Sequence, residues 1–180
     1  VASRGLGDVY KRQLLIIKQK NNVDNRGILR ETFNDKILKK KFVFEYCTTS
    51  KKNVFRGFHF QTKNKQSKYV NVIKGKILDI VIDLRKNSKT FGKVYSIILS
   101  KKNALGLFIP AGFAHGYYSF DRENIIYYKL DNYYNPKYES GIVYDDHDLK
   151  LKLPKKKVKV SKKDKKLLTL NQFKNKIKYL

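Results

Sequence analysis

"SKYVNVIKGKILDIVIDL", residues 67–84, decides how this chain is to be read. Two apolar-rich runs, 67–73 and 76–84, meet across Lys74 and Gly75. In the second run Ile77, Asp79, Val81 and Asp83 alternate with Lys76, Leu78, Ile80, Ile82 and Leu84. A period of two belongs to a β-strand, whose successive side chains face opposite ways. One face of this strand is therefore apolar, while the other carries two carboxylates.

Working outward, the same grammar repeats. "KFVFEYCTT" (41–49) and "NVFRGFHFQ" (53–61) flank a polar "SKK", and "FGKVYSIILS" (91–100), "GLFIPAGFAHGYYSF" (106–120) and "ENIIYYKLDNYY" (123–134) continue the series. Many short strands at this spacing, with no repeat and no linker between them, predict a mainly β domain, a sandwich or a barrel. Only the last stretch reads as helical. Ser161 with Asp164 three residues on is a capping pattern, and Leu167, Leu168, Phe173 and Ile177 give a partial apolar stripe.

A chain of 180 residues suits one domain with a real core. Residues 14–180 are assigned to it. The opening "VASRGLGDVYKRQ" (1–13) has neither a clear period nor a signal-peptide layout, and in a chain without Met it reads as non-native or disordered. The run "LLII" at 14–17 is far shorter than the ~20 residues that span a bilayer. The chain reads as soluble, and its lone Cys47 allows no internal disulfide and no thiolate zinc cage, which fits a reducing, cytoplasmic setting. The formal charge of +26 invites a nucleic-acid reading. The lysines are scattered, however, and attraction to an anionic small substrate explains them better.

Three histidines are present, and His59 stands in "VFRGFHFQ" (54–61). Strict alternation puts Val54, Arg56, Phe58 and Phe60 on one side, and Phe55, Gly57, His59 and Gln61 on the other. A barrel metal site commonly pairs His-x-His on one strand, but here the second position is Gln61, so a metal is not expected. An imidazole with an ordinary pKa of ~6.5 suits proton abstraction at neutral pH if a carboxylate orients it, with Asp79, Asp83 and Asp164 as candidates. The alternative is a core histidine among strand-filling tyrosines. "IPAGFAHGYYSF" (109–120) is likewise either a tight barrel corner or the carrier of a second imidazole, His115.

Taken together, these segments resemble the dTDP-4-dehydrorhamnose 3,5-epimerase family of metal-free cupins. The resemblance rests on "DNRGILRETFN" (24–34), "KKNVFRGFHFQ" (51–61), "KYVNVIKGKILDIVIDLRKNSKTFGK" (68–93), "LSKKNALGLFIPAGFAHGYYSF" (99–120), "YKLDNYYNPKYESGIVYDD" (128–146) and "SKKD" (161–164), in family order. It implies a cupin-type jelly-roll barrel, a homodimer that exchanges N-terminal strands, a dTDP-sugar partner and no cofactor. By motif, His59 would be the base, Asp164 its orienting partner, Tyr128 the opposing acid and Lys68 the cation that holds an enolate. Arg56, Gln61 and His115 would line the sugar pocket, with Asp79 as a supporting group. Arg26, Glu31 and Tyr134 would hold the nucleotide, Arg26 through the diphosphate and Tyr134 beside the thymine.

The chain also departs from the family. A customary Gln-x-Asn-x-Ser run is replaced by Phe44, Tyr46 and Thr48, an aromatic by Leu29, and two tryptophans by Tyr144 and Leu153. The positions implied as catalytic match, whereas those implied in recognition have drifted. An epimerase acting at one carbon, or on a related dTDP-4-keto-6-deoxy sugar, is compatible with that pattern. So is a sugar-nucleotide-binding cupin without catalysis.

Overall fold

The computed structural model describes residues 13–155 and 157–176. Apart from Gln13, the segment read as non-native lies outside them, as does Ile177. Strands run as β1 (Leu15–Lys18), β2 (Asn21–Asp24), β3 (Gly27–Arg30), β4 (Phe44–Lys51), β5 (Phe55–Gln61), β6 (Lys68–Lys74), β7 (Lys76–Asp83), β8 (Val94–Ser100), β9 (Leu105–Ile109), β10 (Phe113–Ser119), β11 (Glu123–Leu130) and β12 (Glu139–Gly141). Two short helices, α1 (Asp35–Leu38) and α2 (Leu170–Lys176), complete the set. No helix among the described residues is long and apolar enough to cross a membrane.

Ten strands form two five-stranded sheets, ordered β1-β9-β6-β11-β4 and β12-β5-β10-β7-β8, while β2 and β3 make a separate hairpin. The sheets face each other as a jelly-roll barrel, and their inward side chains form one core: Val70, Val72, Ile77, Val81, Leu107, Ile109, Ile126 and Leu130 among them. A second core lies outside the β5-β10-β7 sheet. There Phe55, Phe58, Phe60, Ile80, Ile82 and Leu84 pack against Ile142, Leu149, Leu170 and Phe173. The two cores explain β7. Its carboxylate face looks into the barrel and its apolar face is capped by the C-terminal segment, so both are buried.

The sequence reading of β5 requires a correction. His115 of β10 pairs with His59, but Tyr117 pairs with Arg56, so three residues of β5 span two of β10. This bulge resets the alternation. Phe55, Phe58 and Phe60 share the outer core, and Arg56, His59 and Gln61 line the barrel cavity together. Gly57 occupies the bulge at φ 119°, where a Cβ would lie 2.6 Å from Gly116 Cα and from the His115 carbonyl oxygen. Only glycine fits there.

The C-terminal helix also starts later than its capping pattern suggested. Residues 164–166 form a single 3₁₀ turn, and the α-helix begins at Leu170. Thr169 Oγ1 accepts the Gln172 N–H at 3.1 Å, while Gln172 Oε1 accepts the Thr169 N–H at 2.9 Å. That reciprocal pair is a capping box eight residues downstream of the expected one.

Candidate active site

A cavity of about 670 Å³ opens into the barrel between the sheets. Its wall is built from β4, β5, β6, β10 and β11, closed on one side by residues 159–164. Backbone bonds fix that closing segment. The Lys159 N–H donates to Asn53 O at 2.8 Å, the Phe55 N–H donates to Lys159 O at 2.9 Å, and Leu168 bridges Ile142. The turn between these two anchors carries Asp164 onto β5.

Asp164 Oδ1 lies 2.8 Å from His59 Nε2, and its Oδ2 accepts the Gly57 N–H at 3.3 Å. The imidazole is half-buried and the carboxylate nearly enclosed. Burial alone would raise the Asp164 pKa; the bonds from His59, Gly57 and Ser161 outweigh it and hold the acid below its ordinary value. The capping pattern has not vanished, since Ser161 Oγ accepts the Asp164 N–H at 2.9 Å. The backbone of Asp164 forms the turn while its side chain reaches the histidine.

Across the cavity, β11 supplies Tyr128. Its ring stacks on Tyr46 of β4, with centroids 4.7 Å apart and 21° between planes, and meets the His115 ring edge-on at 6.0 Å. Burial, followed by the neighbouring Tyr117, Tyr46 and Asp79, raises its phenol well above the usual range, and a hydrogen bond from Thr48 opposes the rise. Lys68, the first residue of β6, projects into the same space, and its ammonium has no hydrogen-bond partner among the described residues. Burial drives its pKa down to about 8 despite the acids Glu139 and Asp79. A buried cation without a partner is costly, and its position makes sense if it receives negative charge from a ligand.

The other expected residues divide. His115 lines the cavity, and its Nε2 is 2.9 Å from Asp79 Oδ2. Asp79 itself is wholly buried behind that ring and is not part of the wall. Arg56 lines the mouth, its Nε donating to Ser50 Oγ at 2.9 Å. Gln61 touches the cavity, but its amide is consumed by backbone: Nε2 donates to Asn64 O and Tyr133 O, and Oε1 accepts the Asn135 N–H. It holds the 133–135 loop that presents Tyr134. Arg26 and Glu31 are not brought to this cavity. Arg26 sits at the tip of the exposed β2–β3 hairpin, paired with Asp24 at 2.6 Å, and Glu31 follows the hairpin.

Several wall residues escaped the sequence reading. Glu139 accepts from Tyr134 Oη at 2.6 Å and pairs with Lys163. Burial tends to raise its pKa, but Lys163, Tyr134 and His59 hold it lower. Tyr117 and Lys159 line the wall as well. The signal for Lys163 was its place beside Asp164 in "SKKD"; Glu139 and Lys159 carried none. Among the described residues, no three His, Cys, Asp or Glu side chains are grouped to hold a metal ion.

Known proteins share this architecture. A curated dTDP-4-dehydrorhamnose 3,5-epimerase from Methanothermobacter thermautotrophicus is 42% identical over 145 residues, covering 78% of each chain. The protein of that name from Escherichia coli is 35% identical over 168 residues, 89% of this chain and 91% of its own. The crystal structure of dTDP-6-deoxy-D-glucose-3,5-epimerase from Legionella pneumophila, in complex with dTDP-4-keto-L-rhamnose, superposes with a TM-score of 0.86 at 35% identity, covering 91% of both chains. The dTDP-4-dehydrorhamnose 3,5-epimerase structure from Bacillus anthracis, with TDP and PPi bound, gives 0.84 at 33% identity, over 87% of this chain and 93% of that one. With the family model for dTDP-4-dehydrorhamnose 3,5-epimerase matching residues 11–172, the chain belongs to that family.

Proposed function

We propose that this protein epimerises dTDP-4-dehydro-6-deoxy-D-glucose at carbons 3 and 5, giving dTDP-4-dehydro-L-rhamnose for dTDP-rhamnose synthesis. One observation carries the reading: His59–Asp164, Tyr128 and Lys68 all line a single cavity. The ketone at carbon 4 acidifies the hydrogens on carbons 3 and 5. With Nε2 engaged by Asp164, His59 has Nδ1 to accept one of them, and the imidazolium so formed is stabilised by the carboxylate. The carbanion delocalises onto the ketone oxygen, where the Lys68 ammonium can hold the enolate; stabilisation of this kind is worth on the order of 3 kcal/mol. Tyr128 returns a proton to the opposite face, which inverts the carbon. These steps call on side chains alone.

Arg56 and Lys163 at the mouth supply positive charge for a diphosphate, and Tyr134, half-exposed, offers a ring to a base. Arg26 and Glu31 belong to the same scheme only if a second copy brings its hairpin over. The exposed Val23, Ile28 and Leu29 on that hairpin support a homodimer in which each chain completes its partner's nucleotide site. A dTDP-sugar substrate and an unpaired Cys47 fit a cytoplasmic enzyme. Light scattering in solution tests the dimer, with twice the 21.2 kDa chain mass expected.

The replaced wall favours one narrower reading. Tyr46, stacked on Tyr128, and Phe44, tilted against Tyr46, stand in place of the customary amides, and this suits an enzyme acting at one carbon of a related dTDP-4-keto-6-deoxy sugar. Incubation with dTDP-4-keto-6-deoxyglucose in D₂O distinguishes the cases by NMR. Deuterium at carbons 3 and 5 is the expected result, deuterium at one carbon supports the narrower enzyme, and none leaves a binding protein.

A further inference from the structure

A run of hydroxyl groups leads away from Tyr128 to the mouth of the cavity. Thr48 stands beside Tyr128 across the β4–β11 pairing, two residues along β4 from Tyr46, and lines the cavity with it. Thr48 Oγ1 lies 2.9 Å from Tyr117 Oη, which lies 2.8 Å from Ser50 Oγ, and Ser50 Oγ accepts from Arg56 Nε at 2.9 Å. Tyr117 and Ser50 are almost completely buried.

Counting hydrogens fixes the direction of this run. A guanidinium only donates, and each hydroxyl owns one hydrogen. If Tyr128 gives its hydrogen to a ligand, its oxygen is free to accept, and the neighbouring Thr48 hydroxyl is the donor we assign to it. Thr48 has then spent its hydrogen, so Tyr117 donates to Thr48, and Ser50 in turn donates to Tyr117. Ser50 already accepts from Arg56, which agrees with that order. Every hydrogen has a place, and the positive end of the line is Arg56.

Resting on the proton chemistry proposed above, we infer that Thr48, Tyr117 and Ser50 are positioning residues, a donor line that aims the Tyr128 hydrogen into the cavity and holds the phenolate it leaves. When Tyr128 gives its proton to carbon, the charge left on its oxygen meets the Thr48 hydrogen, itself polarised through Tyr117 and Ser50 by Arg56. The line breaks no bond and needs no co-reactant. It acts on return of the proton by Tyr128 and leaves removal by His59 untouched, and that asymmetry makes it testable.

The experiment is the D₂O incubation with dTDP-4-keto-6-deoxyglucose, scoring exchange with retention separately from exchange with inversion. Tyr117→Phe and Thr48→Val each delete one hydroxyl at nearly constant shape. In either folded variant inversion should fall about tenfold, the worth of one lost hydrogen bond to a charge, while exchange with retention persists. The ratio of retention to inversion thus rises about tenfold, and Thr48→Ser, which keeps the hydroxyl, restores it. A merely structural role would lower both processes together, so a constant ratio in the variants of an active wild type overturns the donor line alone. A wild-type protein that exchanges nothing overturns the proton chemistry and the line with it.

Discussion

The Asp164 carboxylate meets His59 at 2.8 Å across 105 residues of chain, with its other oxygen on the Gly57 N–H. Asparagine can keep the Gly57 bond, so Asp164→Asn should fold and melt within a few degrees of wild type. Its amide would donate to Nε2 and drive the imidazole hydrogen onto Nδ1, the nitrogen needed as base. Loss of the correct tautomer should slow exchange by on the order of 10²-fold or more. An unchanged rate in a folded variant would rule out the dyad. Because the folded state lowers the Asp164 pKa, its stabilising contribution is present above the ordinary value of 3.8 and is lost as pH falls through the folded value. Acid melts should therefore cost wild type more than the variant.

Lys68 sets function against stability. Its pKa of about 8, down from 10.5, means that the fold disfavours the ammonium by roughly 3 kcal/mol. Between those values the unfolded chain binds more protons than the native one, so this residue makes stability rise with pH from about 8 to 10.5. Lys68→Met keeps the volume and removes the charge. It should melt higher than wild type at pH 7 and lose that pH-dependent gain, while deuterium exchange falls at least 10²-fold. In wild type, kcat/KM should decline with an alkaline limb near pH 8 as the free enzyme loses the cation.

What the sequence showed and hid follows from the range of each signal. Alternation in β7 and the turn at Lys74-Gly75 are local, and the strands stand where their pattern put them. "IPAGFAHGYYSF" proved to be a tight corner and an imidazole carrier at once, because Pro110–Gly112 turns the chain and β10 then delivers His115 inward. The side assignment of Arg56 failed because a bulge depends on the neighbouring strand: nothing in "RGFH" alone states that β10 approaches close enough to exclude a Cβ at Gly57. The helix start failed for a simpler reason, since Thr169 and Gln172 offered a second capping pair eight residues after Ser161. Tyr117 was hidden because its partners Thr48 and Ser50 lie on the distant strand β4, and Glu139 because its cation, Lys163, arrives only when the C-terminal segment folds back over the barrel.

Tyr46 braces the acid. Its phenol is pushed up to about 12, chiefly by burial, so it stays neutral at every pH the enzyme meets and serves as a flat apolar surface. Tyr46→Asn restores an amide to the wall but removes the stacked ring. The loss of aromatic packing and buried area should cost roughly 1–3 kcal/mol in a urea melt. Inversion should slow severalfold as the Tyr128 ring gains freedom, with removal of the proton by His59 less affected. Equal loss of both would show that Tyr46 shapes the whole cavity instead of supporting Tyr128.

Gly57 tests the bulge that brings Arg56 and His59 to one side. An added Cβ would lie 2.6 Å from Gly116 Cα and 2.6 Å from the His115 carbonyl, and φ of 119° is strained for any L side chain. Both contacts are to backbone, so relief requires β5 and β10 to separate. Gly57→Ala should cost on the order of 3 kcal/mol or more in a denaturant melt. Gly116→Ala provides the matching probe from the other strand, with a Cβ 2.8 Å from the Arg56 carbonyl oxygen and 3.0 Å from Phe58. If both strands must part to admit either methyl, the two changes act on one contact, and the double variant should lose less stability than the sum of the singles. Strict additivity would mean that β5 and β10 are not held by this close approach, and the shared orientation of Arg56 and His59 would need another cause.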